Sequence, residues 1–152
     1  MFKPQVILNP TALVPASYVA FEVARDLARL TGGRLVLLHV AAAPGPEQIS
    51  YAEAASELQP EGYHRRLRQQ MQETFGPLAE GVPVEYLVRE GSLEADIGQV
   101  AREHHVELIV IGTHTAGLLQ RLLLGSTAEH IMRLSPCPVL IAKPPADAGP
   151  GF

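Results

Sequence analysis

Short, strongly apolar runs alternate with segments of helical periodicity along the chain, and this alternation constrains its fold more than any other feature. The alternation is typical of a parallel sheet covered by helices. The predicted strands are 5–8, 34–40, 82–88, 108–111 and 138–142. We therefore predict an α/β fold, a doubly wound five-stranded parallel sheet with helices on both faces.

Four helices are predicted between these strands. The first runs from Pro15 to about residue 30 and is stopped by Gly32 and the glycine after it. The second covers about 63–75, and the third starts after Ser92, a good N-cap residue. The last starts at Ser126, and its helical spacing predicts an inward face. That face is formed by Ala128, Ile131 and Met132.

Length and charge narrow the classes of function. The length of 152 residues predicts one domain, which we place over 1–143. The prolines in 41–60 predict a long connection there, and the Pro, Gly and Ala residues of 144–152 predict a flexible tail. A net charge of −4 gives no general attraction to nucleic acid or to an anionic membrane. The basic group Arg65, Arg66 and Arg68 is interpreted as the solvated face of a helix. A single cysteine, with no signal-peptide core at the N-terminus, predicts a cytoplasmic protein without an internal disulfide.

A ligand site is expected where the first and fourth strands end. Doubly wound sheets bind ligands at the carboxyl ends of their strands, at the point where the strand order reverses. The first strand delivers Pro10, Thr11 and Ala12 to that edge, and the fourth delivers Gly112, Thr113 and His114. Ile111, the last residue of the fourth predicted strand, is included in the expected site. We expect threonine and glycine backbone donors from these two strand ends to converge on one anion.

The stretch from Gly112 to Ser126 is the most informative part of the sequence. It lacks the glycine-lysine-serine/threonine triplet of a P-loop. Gly125, Ser126 and Thr127 nevertheless stand at a predicted helix start, where free N–H groups and the helix dipole favour a phosphate. On the residues alone, an equally good interpretation is that Gly125 turns the chain and Ser126 caps a helix.

Four segments together resemble the universal stress protein family over nearly the whole chain. They are Leu37-Leu-His-Val40, Leu108-Ile-Val-Ile-Gly-Thr-His114, Arg121-Leu-Leu-Leu-Gly-Ser126 and Pro136-Cys-Pro-Val-Leu-Ile141. The resemblance implies an adenine nucleotide, ATP or AMP with or without magnesium, bound without catalysis. It implies that Pro10, Thr11 and Val40 frame the base and ribose, and that the phosphates approach Gly112, His114, Gly125, Ser126 and Thr127. The expected strand order is 3-2-1-4-5.

Two positions depart from the family's nucleotide-binding pattern. Thr115 stands where the pattern has its second glycine, and Ala12 stands where ATP-binding members have an aspartate. Each departure should weaken binding, because a β-branched residue tolerates φ > 0 poorly and because a charged acceptor is lost. An alternative is therefore a dimeric regulatory or interaction module whose nucleotide pocket has decayed.

Catalysis is not expected. The sequence has no Gly-x-Ser-x-Gly elbow and no His-Glu-x-x-His motif, and the first-strand loop carries no acidic residue to hold magnesium. His39 is interpreted as a core or strand-end histidine, and His104 with His105 as helix-capping residues. The resemblance also implies a homodimer that pairs its last strands through Val139, Leu140 and Ile141.

Overall fold

The computed structural model of the chain describes residues 1–41, 60–112 and 126–145, and it describes no side chains for residues 60 and 126–128. Five parallel strands form one sheet in the order β3-β2-β1-β4-β5, as predicted. The strands are β1 (Val6–Pro10), β2 (Arg34–Ala41), β3 (Val84–Glu90), β4 (Leu108–Gly112) and β5 (Val139–Ala142). The helices are α1 (Tyr18–Thr31), α2 (Pro60–Phe75), α3 (Leu93–Glu103) and α4 (Ser126–Leu134).

Side chains pack on both faces of the sheet. One face carries Ile7, Leu35 and Leu37 in a cluster with buried residues of α1 and α2. The other carries Leu8, Val36 and Ile109 in a cluster with buried residues of α3 and α4. This double coverage explains why β4 is buried at every position, since a central parallel strand has no solvent face.

The helix ends follow their sequence signals. A 3₁₀ turn at Pro15–Ser17 precedes α1, which ends at Gly32 in the left-handed conformation (φ 69°). Ser92 caps α3, because its Oγ accepts a hydrogen bond from Ala95 N at 3.2 Å. His104 is the C-cap residue of α3, as expected. Arg65, Arg66 and Arg68 lie exposed on α2.

Several boundaries differ from the predicted ones, and one inward residue was wrong. The first strand extends to Pro10 and the third to Glu90, while α2 begins at Pro60. Ile131 is fully buried, but Met132 is 43% exposed, so the prediction that Met132 faces inward was wrong. α4 contacts α3, and Ile131 joins the buried cluster on that face of the sheet, whereas Met132 does not. The predicted connection after Ala41 lies mostly outside the described residues, as does the end of the tail.

The amino edge of the sheet, where the parallel strands begin, is bordered by charged contacts. Arg34 forms an ion pair with Glu85 at 3.0 Å, and His104 Nδ1 lies 3.5 Å from the same carboxylate. At the start of β1, Gln5 N donates to Glu107 Oε2 at 2.5 Å. These contacts join the starts of β1, β2 and β3 to the segment around the C-terminus of α3. Within the described residues, no helix is long and apolar enough to cross a membrane.

Candidate functional site

Regular pairing between β1 and β4 stops before these two strands reach their carboxyl ends. These two strands are paired only at Ile7 with Leu108 and at Leu8 with Ile109. Beyond that point β1 stays paired with β2 as far as Pro10, and β4 stays paired with β5 as far as Gly112. We call the region between the ends of β1 and β4 the crevice, and it lies at the point where the strand order reverses. This is the expected place for a ligand.

An asparagine side chain spans the base of the crevice. Val6 O accepts from Glu107 N, whereas Thr11 N donates to Leu38 O, so even-numbered residues of β1 direct their backbone groups towards β4. Pro10 is such a residue, but proline has no N–H to donate. Asn9 Nδ2 lies 2.9 Å from Val110 O and 3.2 Å from Pro10 O. We call these two hydrogen bonds the Asn9 staple. The one to Val110 O joins β1 to β4, and the one to Pro10 O lies within the end of β1.

The buried polar residues of the described part gather beside the crevice. They are Asn9, Thr11 and Ser17, with exposed fractions of 0%, 4% and 2%. All three belong to the end of β1 or to the loop that follows it. Buried polar groups lower stability unless they are hydrogen-bonded, so the stability of this region depends on the hydrogen bonds of these three side chains.

The first three backbone N–H groups of the β1 loop, which we define as residues 11–17, already have hydrogen-bond acceptors. Thr11 N donates to Leu38 O at 2.8 Å, and Ala12 N donates to Ser17 Oγ at 3.2 Å. Leu13, with φ at 56°, has its N 3.4 Å from Thr11 Oγ1. The expectation that the Thr11 backbone N–H faces an anion was therefore wrong, because the neighbouring strand β2 takes that hydrogen bond. The Thr11 hydroxyl can still donate.

His39 supports the same loop from β2. Its Nδ1 lies 2.9 Å from Thr11 O. A carbonyl oxygen only accepts, so Nδ1 must carry the proton, and the neutral ring then has its lone pair on Nε2. His39 is a partly buried residue near the end of β2, in agreement with its interpretation as a strand-end histidine.

The structure places only some of the predicted site residues. Pro10, Thr11 and half-buried Ala12 lie on one side of the crevice, and buried Ile111 and Gly112 lie on the other. Val40 packs against the α3 and α4 face near the end of β2. His114, Thr115 and Gly125 lie outside the described residues. Ser126 and Thr127 begin α4, as predicted, and their side chains are not described.

Sequence reasoning missed Asn9 altogether. The available signal was a lone amide side chain in an otherwise apolar strand, immediately before a proline. A second polar pair lies farther along the same edge, where His64 Nε2 of α2 is 2.8 Å from Glu90 Oε1 of β3. The described residues contain no group of three histidine, cysteine or acidic side chains that could hold a metal ion.

Comparison with known proteins gives a consistent result. The sequence model of the Universal stress protein family matches residues 4–143. A universal stress protein of Synechocystis sp. is 30% identical over 141 residues, which cover 93% of this chain and 85% of that protein. The match covers 38%, 36% and 44% of three other curated universal stress proteins, from Methanocaldococcus jannaschii, Haemophilus influenzae and Mycobacterium tuberculosis.

Two solved structures with a similar fold contain adenine nucleotides. A universal stress protein in complex with cAMP superposes with a TM-score of 0.65 at 21% identity, covering 93% of this chain and 98% of that one. The universal stress protein of Archaeoglobus fulgidus in complex with dAMP gives a TM-score of 0.57 at 18% identity, covering 94% and 100%. At these identities the likeness establishes the fold.

Proposed function

Since the chain belongs to the universal stress protein family, we propose that it is a stress-response protein that binds an adenine nucleotide, ATP or AMP, without catalysis. The crevice between β1 and β4 is the proposed site. The observation that carries the proposal is the end of regular pairing between these two strands, at the point where the strand order reverses and beside a cluster of buried polar residues. Relatives of the same fold that are complexed with cAMP and dAMP support the choice of ligand.

The two sides of the crevice would have different tasks. The backbone N–H groups of residues 11, 12 and 13 in the β1 loop already have acceptors, so this loop is suited to frame a base and ribose rather than to bind phosphate. Pro10, Thr11 and Val40 would provide this frame. The phosphates would lie against Gly112 and the start of α4, where N–H groups at a helix N-terminus favour an anion. Any magnesium would be bound through the phosphates and would keep several of its waters, because this ion dehydrates reluctantly.

The replacement of an aspartate by Ala12 sets the expected affinity. A hydrogen bond to a charged acceptor contributes about 1.5–3 kcal/mol, so its absence would weaken binding by about tenfold to a hundredfold. Ala12 is half-buried in the β1 loop, so an introduced carboxylate there would keep part of its contact with solvent. Moderate rather than tight nucleotide binding follows.

The first experiment asks whether nucleotide is present. Freshly purified protein is denatured, and the released small molecules are identified by mass spectrometry, with calorimetric titration of ATP and AMP as the quantitative measurement. We expect saturable binding of at least one adenine nucleotide. A protein that releases none and shows no heat of binding at millimolar nucleotide would refute the proposed function.

A gain-of-function pair sharpens the result. Ala12→Asp combined with Thr115→Gly restores both family positions and should strengthen ATP binding at least tenfold. Ala95→Asp, which adds the same charge at an exposed position on α3, is the matched control and should leave the affinity unchanged. Equal affinities for the restored and wild-type proteins would remove these two positions from the site. Hydrolysis is measured in parallel, and no turnover above a buffer blank is expected.

A second candidate function is a dimeric regulatory module that works without nucleotide. It is favoured by the edge strand β5, whose Val139, Leu140 and Ile141 are only half-buried in the single chain. Exposed Met132 and Leu134 lie on the preceding helix. A second copy of the chain would cover this apolar edge, as unpaired strand edges otherwise invite association. A dimer that binds no adenine nucleotide would favour this candidate.

A further inference from the structure

The Asn9 staple has an energetic cost that an apolar residue would avoid. Asn9 is fully buried, and its Oδ1 has no hydrogen-bond partner among the described residues. Burying an unpaired amide acceptor is unfavourable, whereas a leucine of similar size would add apolar contact at a position that follows the buried residues Ile7 and Leu8. The amide is therefore explained by what its nitrogen does and not by packing.

The nitrogen supplies a link that the backbone lacks. Within the described residues, β1 and β4 have no paired positions after Leu8 and Ile109, and residue 10 cannot donate to β4. The two N–H groups of Asn9 lie within hydrogen-bond distance of one carbonyl on each strand, Pro10 O and Val110 O. The strand ends are thus held at a fixed separation at the point where regular pairing stops.

We infer that Asn9 is a positioning residue of the ligand site, whose amide sets the width of the crevice and so the spacing of Thr11 from Gly112. This inference rests on the proposed nucleotide-binding function for its ligand readout. Asn9 itself is buried, so it acts through the strand ends and needs no contact with the ligand. An apolar residue at position 9 would fill the space but leave the strand ends free to shift.

The test is a double-mutant cycle between positions 9 and 10. Asn9→Leu removes the staple, and Asn9→Asp keeps the size but replaces the amide nitrogen with a second oxygen. Pro10→Ala introduces a backbone N–H that can donate to Val110 O in place of the staple. The affinity for AMP and the thermal midpoint are measured for wild type, both Asn9 variants, Pro10→Ala and the combination of Asn9→Leu with Pro10→Ala.

We expect Asn9→Leu and Asn9→Asp to weaken AMP binding at least tenfold. In the Pro10→Ala background the same Asn9→Leu change should weaken it less than threefold, because the backbone now links the strands. Met71→Ala, which truncates a fully buried side chain of α2, is the control for loss of stability alone. It should lower the thermal midpoint without changing the affinity for AMP. Equal losses of affinity from Asn9→Leu in both backgrounds would overturn the inference.

The outcome remains decisive if the wild-type protein binds no nucleotide. The proposed function then fails, and the staple is judged by stability alone. Asn9→Leu should lower the thermal midpoint by several degrees when Pro10 is kept and by clearly less in the Pro10→Ala background. A shift of the same size in both backgrounds would show that Asn9 does not replace the missing donor of Pro10.

Discussion

Ser17→Ala tests whether the β1 loop is held by its internal hydrogen bonds. Ser17 occupies the N-cap position of α1, yet its side chain does not cap that helix. Its Oγ instead accepts from Ala12 N at 3.2 Å, and the residue is only 2% exposed. Water cannot easily reach the group, so the substitution leaves the Ala12 N–H without its partner while changing the packed volume little.

The expected loss of stability follows from that geometry. Leaving a buried or half-buried donor unpaired costs about 1–3 kcal/mol, and we expect about 2 kcal/mol for this half-buried loop. For a chain of this length, that free energy corresponds to a fall of about 4–8 °C in the thermal midpoint. Urea denaturation followed by circular dichroism gives the free energy of unfolding. Hydrogen exchange at Ala12 and Leu13 reports whether the loop itself is loosened.

Ser135→Ala is the matched control. The Ser135 hydroxyl donates to Ile131 O, but the same carbonyl also accepts from Ser135 N at 2.9 Å, so it keeps a partner after the substitution. This variant should change the free energy of unfolding by less than about 0.5 kcal/mol. If Ser17→Ala were no more destabilising than Ser135→Ala, the reasoning about the loop would be refuted.

Three further predictions follow from the described structure. Gly33→Ala should lower the free energy of unfolding, measured by urea denaturation, by about 3 kcal/mol, because a Cβ there would collide with the backbone carbonyl of Gln5. Gly32→Ala has open space but a φ of 69°, so it should lower the free energy of unfolding by about 1–2 kcal/mol, and equal losses would contradict this explanation. If the chain forms a dimer through β5, Leu140→Lys should give monomers in light scattering. The control Leu30→Lys, at an exposed position of α1, should leave the measured mass unchanged, and a Leu140→Lys protein that is still dimeric would remove β5 from the interface. Burial raises the pKa of the Cys137 thiol. The rate of alkylation by iodoacetamide, plotted against pH, should therefore have its inflection at higher pH in the native protein than in urea, and an inflection at or below the urea value would contradict this prediction. Because folding favours the protonated thiol, this contribution to stability is present below the ordinary thiol pKa of about 8.5 and is lost as pH rises through the higher native value.

Much of the fold could be predicted because its signals are local. The apolar run 108–111 has no polar residue to mark a solvent face, and it is the fully buried strand β4. Pro83 immediately precedes β3, which is at the edge of the sheet, where a residue without a backbone N–H is tolerated. Gly32 and Ser92 marked helix ends because their conformational and hydrogen-bonding roles depend on neighbouring residues only.

The remaining features depend on contacts between distant residues. The exposure of Met132 depends on which elements α4 packs against, and the helical period of α4 does not reveal them. The Thr11 N–H is taken by Leu38, which sequence spacing does not reveal. Asn9 was missed for the same reason, since its partner Val110 lies 101 positions away. The predicted residues 114, 115 and 125 lie outside the described residues and remain predictions.

The charged contacts at the amino edge indicate where the protein can be attached to a surface. Arg34, Glu85 and Glu107 lie at or near the strand starts, and the crevice lies at the other end of β1, about 17 Å away for five residues of strand. A tether or fluorescent label fixed near these residues would leave the opposite rim facing the solution. Immobilised protein oriented in this way would present every copy of the crevice to a flowing ligand.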